Sequence, residues 1–117
     1  MSPCSNARWL VGPGRRVWDI GANVGVFAFA AAGRAGADGR VLAVEPDPWL
    51  FALLQHSRAA NRGGLAPVEL LCAAVADRSG LARLQIAARG RAANTLAGFG
   101  SSQMGGVREE LLVPTVT

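Results

Sequence analysis

Apolar residues along this chain fall into short blocks separated by glycines, and the spacing inside the blocks changes from one to the next. Val17-Trp18-Asp19-Ile20 follows the turn signal Pro13-Gly14 and reads as a strand of the kind buried on both faces. Val26 to Ala32, with Phe27, Ala28, Ala30 and Ala31, has helical composition, and the Gly-rich stretch Gly33 to Gly39 closes it. Arg40-Val41-Leu42-Ala43-Val44 predicts a second apolar strand, ending at Glu45. Asp47-Pro48 reads as an N-cap and first helical residue, and Leu50, Leu53, Leu54 and Ser57 then recur on one helical face, to about Asn61 before Gly63-Gly64. Val68 to Val75 predicts a third strand, and Asp77-Arg78-Ser79-Gly80 a turn. Leu81, Arg83 and Gln85 alternate with Ala82, Leu84 and Ile86, the period of a half-exposed strand. Residues 87–106 read as a loose loop, and Val107 to Thr117 as one more strand interrupted at Pro114.

Strand-helix-strand-helix-strand with apolar strands implies an α/β fold: a parallel, right-handed, Rossmann-like sheet with helices on both faces. The first three strands are expected in spatial order 3-2-1. Doubly wound sheets continue past strand 1 on its far side, and nothing in the sequence is left to build that half. The expectation is therefore a sheet truncated after its third parallel strand and a short additional strand pair. Strand 1 would lie at an open edge, a hazard for an apolar strand.

Composition narrows the function classes. The chain has 117 residues, room for one domain only, with its cofactor-binding half at about 13–80. Half of its residues are hydrophobic, and no apolar run approaches the roughly 18 residues that suggest a membrane span. The start, Met1 to Arg8, lacks the basic and apolar regions of a signal peptide, so a soluble cytoplasmic protein is expected. Net charge is +4, and all twelve basic residues are Arg. They are scattered, with only Arg15-Arg16 and Arg89-Gly90-Arg91 clustered, and aromatics do not interleave with them as a nucleic-acid platform requires. Cys4, Cys72 and the single His56 are too few and too far apart for a metal site. Cys72 lies in an apolar run and reads as a small buried hydrophobe. His56 has no Ser or Cys partner at any telling spacing, and Trp18 and Trp49 read as packing residues.

The candidate chemistry gathers at the strand ends. Gly21 and Gly25 let the backbone turn sharply after strand 1 and approach a ligand closely. A helix start with outward amides suits a nucleotide-type ligand, while Asp19 beside it disfavours a phosphate, since two anions repel. An adenosine carrying a cationic amino or sulfonium group fits both features, which points to S-adenosylmethionine. The dinucleotide fingerprint needs a middle glycine, and Asn23 stands there, which disfavours an NAD-binding half-domain. Asp19 is expected to face the ligand's amino group, or else to cap the following helix. Glu45, at the tip of strand 2, is placed to accept the two ribose hydroxyls. Ala74 and Val75 offer a small apolar contact for an adenine edge with Asp77 nearby as an acceptor, or simply pack the sheet. Asn94-Thr95-Leu96 carries no readable motif.

Val17-Trp18-Asp19-Ile20-Gly21-Ala22-Asn23-Val24-Gly25, Val44-Glu45-Pro46-Asp47-Pro48 and Ala74-Val75-Ala76-Asp77 with Gly80 together resemble the FkbM family of S-adenosylmethionine-dependent methyltransferases. The resemblance covers about Pro13 to Thr117. It implies a class I methyltransferase fold with Asp19, Gly21, Asn23 and Gly25 lining the methionine end of the cofactor, Glu45 on the ribose and Ala74-Val75 near the adenine. It also implies O-methylation of a small molecule, sugar or natural product, with proximity and orientation doing most of the work. In relatives the segment like Val113 to Thr117 leads into a Leu-Asp pair and then a Lys-x-Asp-x-Glu-Gly strand, which this sequence does not contain, and His56 stands where many relatives have Asn. No catalytic residue is transferred, and the chain alone is expected to bind the cofactor weakly or not at all and to show no turnover. The competing expectation is a module that keeps half a cofactor site without catalysis.

Overall fold

The computed structural model describes residues 11–61, 63, 65–88, 90, 94–96 and 106–117. Two sheets share these residues. The first contains three parallel strands in spatial order β1-β2-β3, namely β1 (Arg16–Ile20), β2 (Arg40–Val44) and β3 (Val68–Leu71), as the alternation of strands and helices requires. Helix α1 (Val26–Ala35) joins β1 to β2, and α2 (Pro48–Ala60) leads from β2 towards β3.

Both crossovers pack on one face of this sheet. Ala28, Ala31, Ala32 and Ala35 form a small-residue stripe at helical spacing that lets α1 lie close against Val17, Val41, Ala43, Val68 and Leu70. Leu54 of α2 closes the same core and is fully buried. Helix α1 runs through Gly33 to Ala35, three residues past the expected stop, and ends at Gly36 in a positive-φ conformation. Helix α2 matches the sequence signals: Asp47 caps it by accepting from the Trp49 and Leu50 amides, Pro48 is its first residue, and Asn61 ends it.

The opposite face differs from expectation. Among the described residues no helix covers it, so the sheet has helices on one face rather than two. Strand β1 is accordingly not buried on both faces: Trp18 is 76 % and Ile20 52 % exposed. The register puts Trp18, Leu42 and Glu69 in one row across that face, with Arg16 and Arg40 in another. Trp49, on α2, is also largely exposed, so neither tryptophan is a core residue. Among the described residues β1 occupies the edge, as expected.

The expected third strand is two. After Leu71 the chain leaves the parallel sheet through Cys72 and Ala73, and Ala74–Val75 becomes β4 of the second sheet, paired in parallel with Thr115 and Val116. That sheet has the order β4-β7-β5-β6, four strands in place of a strand pair. Its body is the antiparallel pairing of β5 (Gly80–Ala87) with β7 (Val107–Val116), bulged between Ile86 and Ala87. Ala74, Leu84, Ile86 and Val113 are its buried centre, which bears out the alternation in β5. Pro114 does not interrupt β7; it lies beyond the short β4, where the strand has one neighbour and tolerates a missing N–H. Part of the expected loose loop is β6 (Thr95–Leu96), paired with β5. The rest of it, residues 89, 91–93 and 97–105, and Cys4 lie outside the described residues.

Candidate cofactor site

The carboxyl ends of β1 and β2 meet at the turn between β1 and α1. Gly21 leaves β1 with φ +76°, and the Gly21 and Ala22 amides both donate to the Val44 carbonyl, at 2.8 and 3.0 Å, pinning the turn to the end of β2. Asn23 follows at φ +57°, a left-handed conformation that Asn tolerates better than most side chains, and Gly25 at φ +94°. Gly25 is the N-cap of α1; no side chain caps this helix and its first turn holds no acid. A Cβ on Gly25 would stand 2.5 Å from Phe29 and 2.7 Å from Leu54, whereas one on Gly21 would meet nothing within 4 Å. The two glycines therefore do different work. Gly25 permits helix packing, and Gly21 permits the turn and leaves open space beside the backbone.

Two carboxylates flank this turn. Asp19 is half-buried, and its Oδ2 is buried without a hydrogen-bond partner. Burial pushes its pKa above the usual carboxylate value. Glu45 is 6 % exposed, and both of its oxygens are engaged: Oε1 accepts from the Asn23 amide at 2.8 Å and Oε2 from the Asp47 amide at 3.0 Å. Burial raises its pKa as well, helped by the charges of Asp47 and Asp19, while the two amide donors pull it down. The Cys72 thiol beside Pro46 is likewise pushed up, by burial first and then by Glu45 and Asp47.

Asp19, Gly21, Asn23, Gly25 and Glu45 thus converge, with the Asn23-to-Glu45 bond joining the turn directly to the second acid. Ala74 and Val75 stand on the other sheet. They reach the same region through a cavity of about 200 Å³ between the sheets, mostly apolar, lined by Ile20, Gly21, Val44, Ala74 and Val75 among others, with the Asn94 side chain its polar member. Asp77 lies in the exposed bend before β5 and does not line this cavity. His56 is exposed on α2.

Two residues had no functional reading beforehand. Asp47 was legible as a cap only, yet it is fully buried and its second oxygen, Oδ2, accepts from Asn94 Nδ2 at 2.8 Å. Asn94 also accepts from the Ala87 amide at 2.9 Å. Its partners stand 7 and 47 positions away, so no local pattern announces it.

Among the described residues no three His, Cys, Asp or Glu side chains group as metal ligands would, and no helix is long and apolar enough to cross a membrane. No protein-family model matches the sequence, and no curated protein matches it. The likeness to the FkbM family rests on the three motifs.

Proposed function

We propose that this chain binds S-adenosylmethionine at the ends of β1 and β2, as the cofactor half of a Rossmann-like, FkbM-type methyltransferase acting on a small-molecule, sugar or natural-product hydroxyl. The observation that carries the reading is Asp19 Oδ2, buried beside an uncapped helix start with no hydrogen-bond partner. A buried carboxylate oxygen without a donor is destabilising, and a ligand ammonium group is the partner that removes the cost. A phosphate there would meet Asp19 and Glu45 at once, so a dinucleotide fits poorly.

In this reading Asp19 accepts from the ligand's amino group and orients the methionine end. Glu45, already held by two amides, retains lone pairs on both oxygens and accepts the ribose hydroxyls. Gly21 leaves room for the ligand against the turn, and the cavity reaching Ala74 and Val75 offers a largely apolar wall to a flat ring. Bound there, the cofactor supplies an electrophilic methyl group on a sulfonium. The chain's contribution is to fix its orientation, which is where most of the rate of such a transfer arises.

Ligand-detected NMR suits a weak complex. S-adenosylmethionine is expected to show saturation transfer with the full chain, and Asp19→Asn and Glu45→Gln each to weaken it about tenfold or more, the loss of one charge-assisted hydrogen bond. NAD is expected to show none. Equal transfer to NAD, or an undiminished signal with Asp19→Asn, would overturn the reading.

A further inference from the structure

Six hydrogen bonds run unbroken from the second sheet to the turn beneath the candidate ligand. The Ala87 amide donates to Asn94 Oδ1 at 2.9 Å, and Asn94 Nδ2 donates to Asp47 Oδ2 at 2.8 Å. The other oxygen of Asp47 accepts from Trp49 and Leu50, at 2.9 and 3.4 Å, at the start of α2. The Asp47 amide donates to Glu45 Oε2 at 3.0 Å, and Glu45 Oε1 takes the Asn23 amide at 2.8 Å. Three side chains therefore connect β5, the α2 start, the tip of β2 and the turn before α1.

The side-chain amide of Asn94 matches both of its partners. It meets a donor on one side and a buried carboxylate on the other, so it must offer one acceptor and one donor on a single short planar group. The same two partners fix which end is oxygen, since the flipped amide would set N–H against N–H and oxygen against carboxylate. Asp47 and Glu45 are adjacent buried acids, 0 % and 6 % exposed, and each repels the other. A neutral donor brought to Asp47 from another sheet helps keep both charged groups in place.

We propose that Asn94 is a positioning residue for the ligand site, holding Asp47 and through it the Glu45 carboxylate at the geometry that receives the ribose. The inference rests on the S-adenosylmethionine reading for the ligand's identity, and on the hydrogen-bond chain for the positioning. Asn94 also lines the cavity offered to the ligand's flat ring, so its hold on Glu45 is read from the Asn23 and Asp47 amides and not from binding alone. It makes the second sheet a working part of a site whose acids all lie on the first.

The test is Asn94→Asp, with Asn94→Ser beside it, in the full chain. An aspartate at 94 keeps the acceptor for Ala87 but sets a carboxylate against Asp47 at the place of a 2.8 Å hydrogen bond. Two such carboxylates tolerate each other only when they share a proton. The other titratable groups facing Asp47 are Glu45, Asp19 behind it, and the Cys72 thiol, all of which titrate in the unmodified chain too, so each variant is compared with that chain at the same pH. At pH 8 the Asn23 and Asp47 amides of Asn94→Asp are expected to exchange with deuterium about tenfold faster than normal, and S-adenosylmethionine to bind about tenfold more weakly, as loss of a bond to a charged group implies. Near pH 5 both ratios are expected to return towards one. Asn94→Ser, which cannot share a proton in this way, is expected to show the loss at both pH values.

Faster exchange confined to Ala87, with Asn23 and Asp47 unchanged, would overturn the positioning role. If Asn94→Asp does not fold, Asn94→Ser decides by the same amides. An unmodified chain with protected amides that binds no S-adenosylmethionine would overturn the ligand reading alone, while the exchange data still decide the role of Asn94.

Discussion

In the proposed reading Asp19 puts stability and ligand binding in opposition at one atom. Its Oδ2 is buried without a partner and its pKa is raised by burial, so the folded chain holds a proton there more tightly than the unfolded chain does. The sign follows: stability is fully present below the ordinary carboxylate pKa and is lost as pH rises through the raised folded value. Glu45, raised for the same first reason, adds in the same direction. Asp19→Asn removes the charge and keeps the shape. It is expected to raise the stability of the ligand-free chain at pH 7 by about 1 kcal/mol, the usual gain when a functional compromise is relieved, and to bring little gain near pH 3. Urea unfolding of both chains across that range measures it. A wild-type chain that gains stability steadily from pH 4 to pH 7, with Asp19→Asn following in parallel, would show that this carboxylate carries no such cost. The position of Asp19 was readable from Val17-Trp18-Asp19-Ile20-Gly21, because an acid ending an apolar run has few other places to be. Its missing partner was not, since burial of a single oxygen depends on residues from several elements.

At the scale of elements, signals carried by neighbouring residues were legible and those carried across the fold were not. Asp47-Pro48 announced α2 because a cap and a fixed φ act within one turn. The break between β3 and β4 was invisible: Val68 to Val75 is nearly all apolar, and such a run has no period to show where the chain changes sheets. Asn94 was silent because its partner Asp47 is distant in sequence. The turn between β1 and α1 is an intermediate case, where Gly21 and Gly25 were both recognised but their unequal roles were not. Gly25→Ala must force a Cβ to within 2.5–2.7 Å of the Phe29 ring and the buried Leu54 at a positive φ, pushing α1 from α2. Gly21→Ala incurs only the backbone strain, because the space is open. The expected losses are about 2–5 kcal/mol for Gly25→Ala, strain plus overpacking, and about 1–2 kcal/mol for Gly21→Ala. Chemical denaturation of the two variants gives the comparison, and equal losses would mean that α1 and α2 do not meet at this turn as described.

For the whole molecule, the consequence of packing both helices on one face is an exposed apolar surface at an open edge. Among the described residues β1 has a neighbour on one side only, so the outer side of its backbone is available for pairing. Beside that edge Trp18 and Ile20 stand exposed, and a shallow groove of about 280 Å³ runs over Trp18, Leu42 and Glu69 with Arg16 and Arg40 at its rim. Periodicity could place Trp18 in a strand but not say whether the next layer would be supplied, which is why it read as packing. An unpaired edge and an uncovered tryptophan act together, since pairing at the edge also removes Trp18 from water. The free chain is therefore expected to associate as its concentration rises. Burying one large apolar side chain contributes about 1.5–3 kcal/mol, so Trp18→Lys, which also places a charge beside the edge, should raise the concentration at which association begins by about tenfold or more. Sedimentation velocity over a concentration series measures this directly. Asp19 and Glu45 lie at the ends of the same strands, so the proposed S-adenosylmethionine binding is best compared between the variant and the unmodified chain at equal monomer concentration. A wild-type chain that stays monomeric throughout would mean that the Arg16, Arg40 and Glu69 charges on this face already suffice to keep the edge apart.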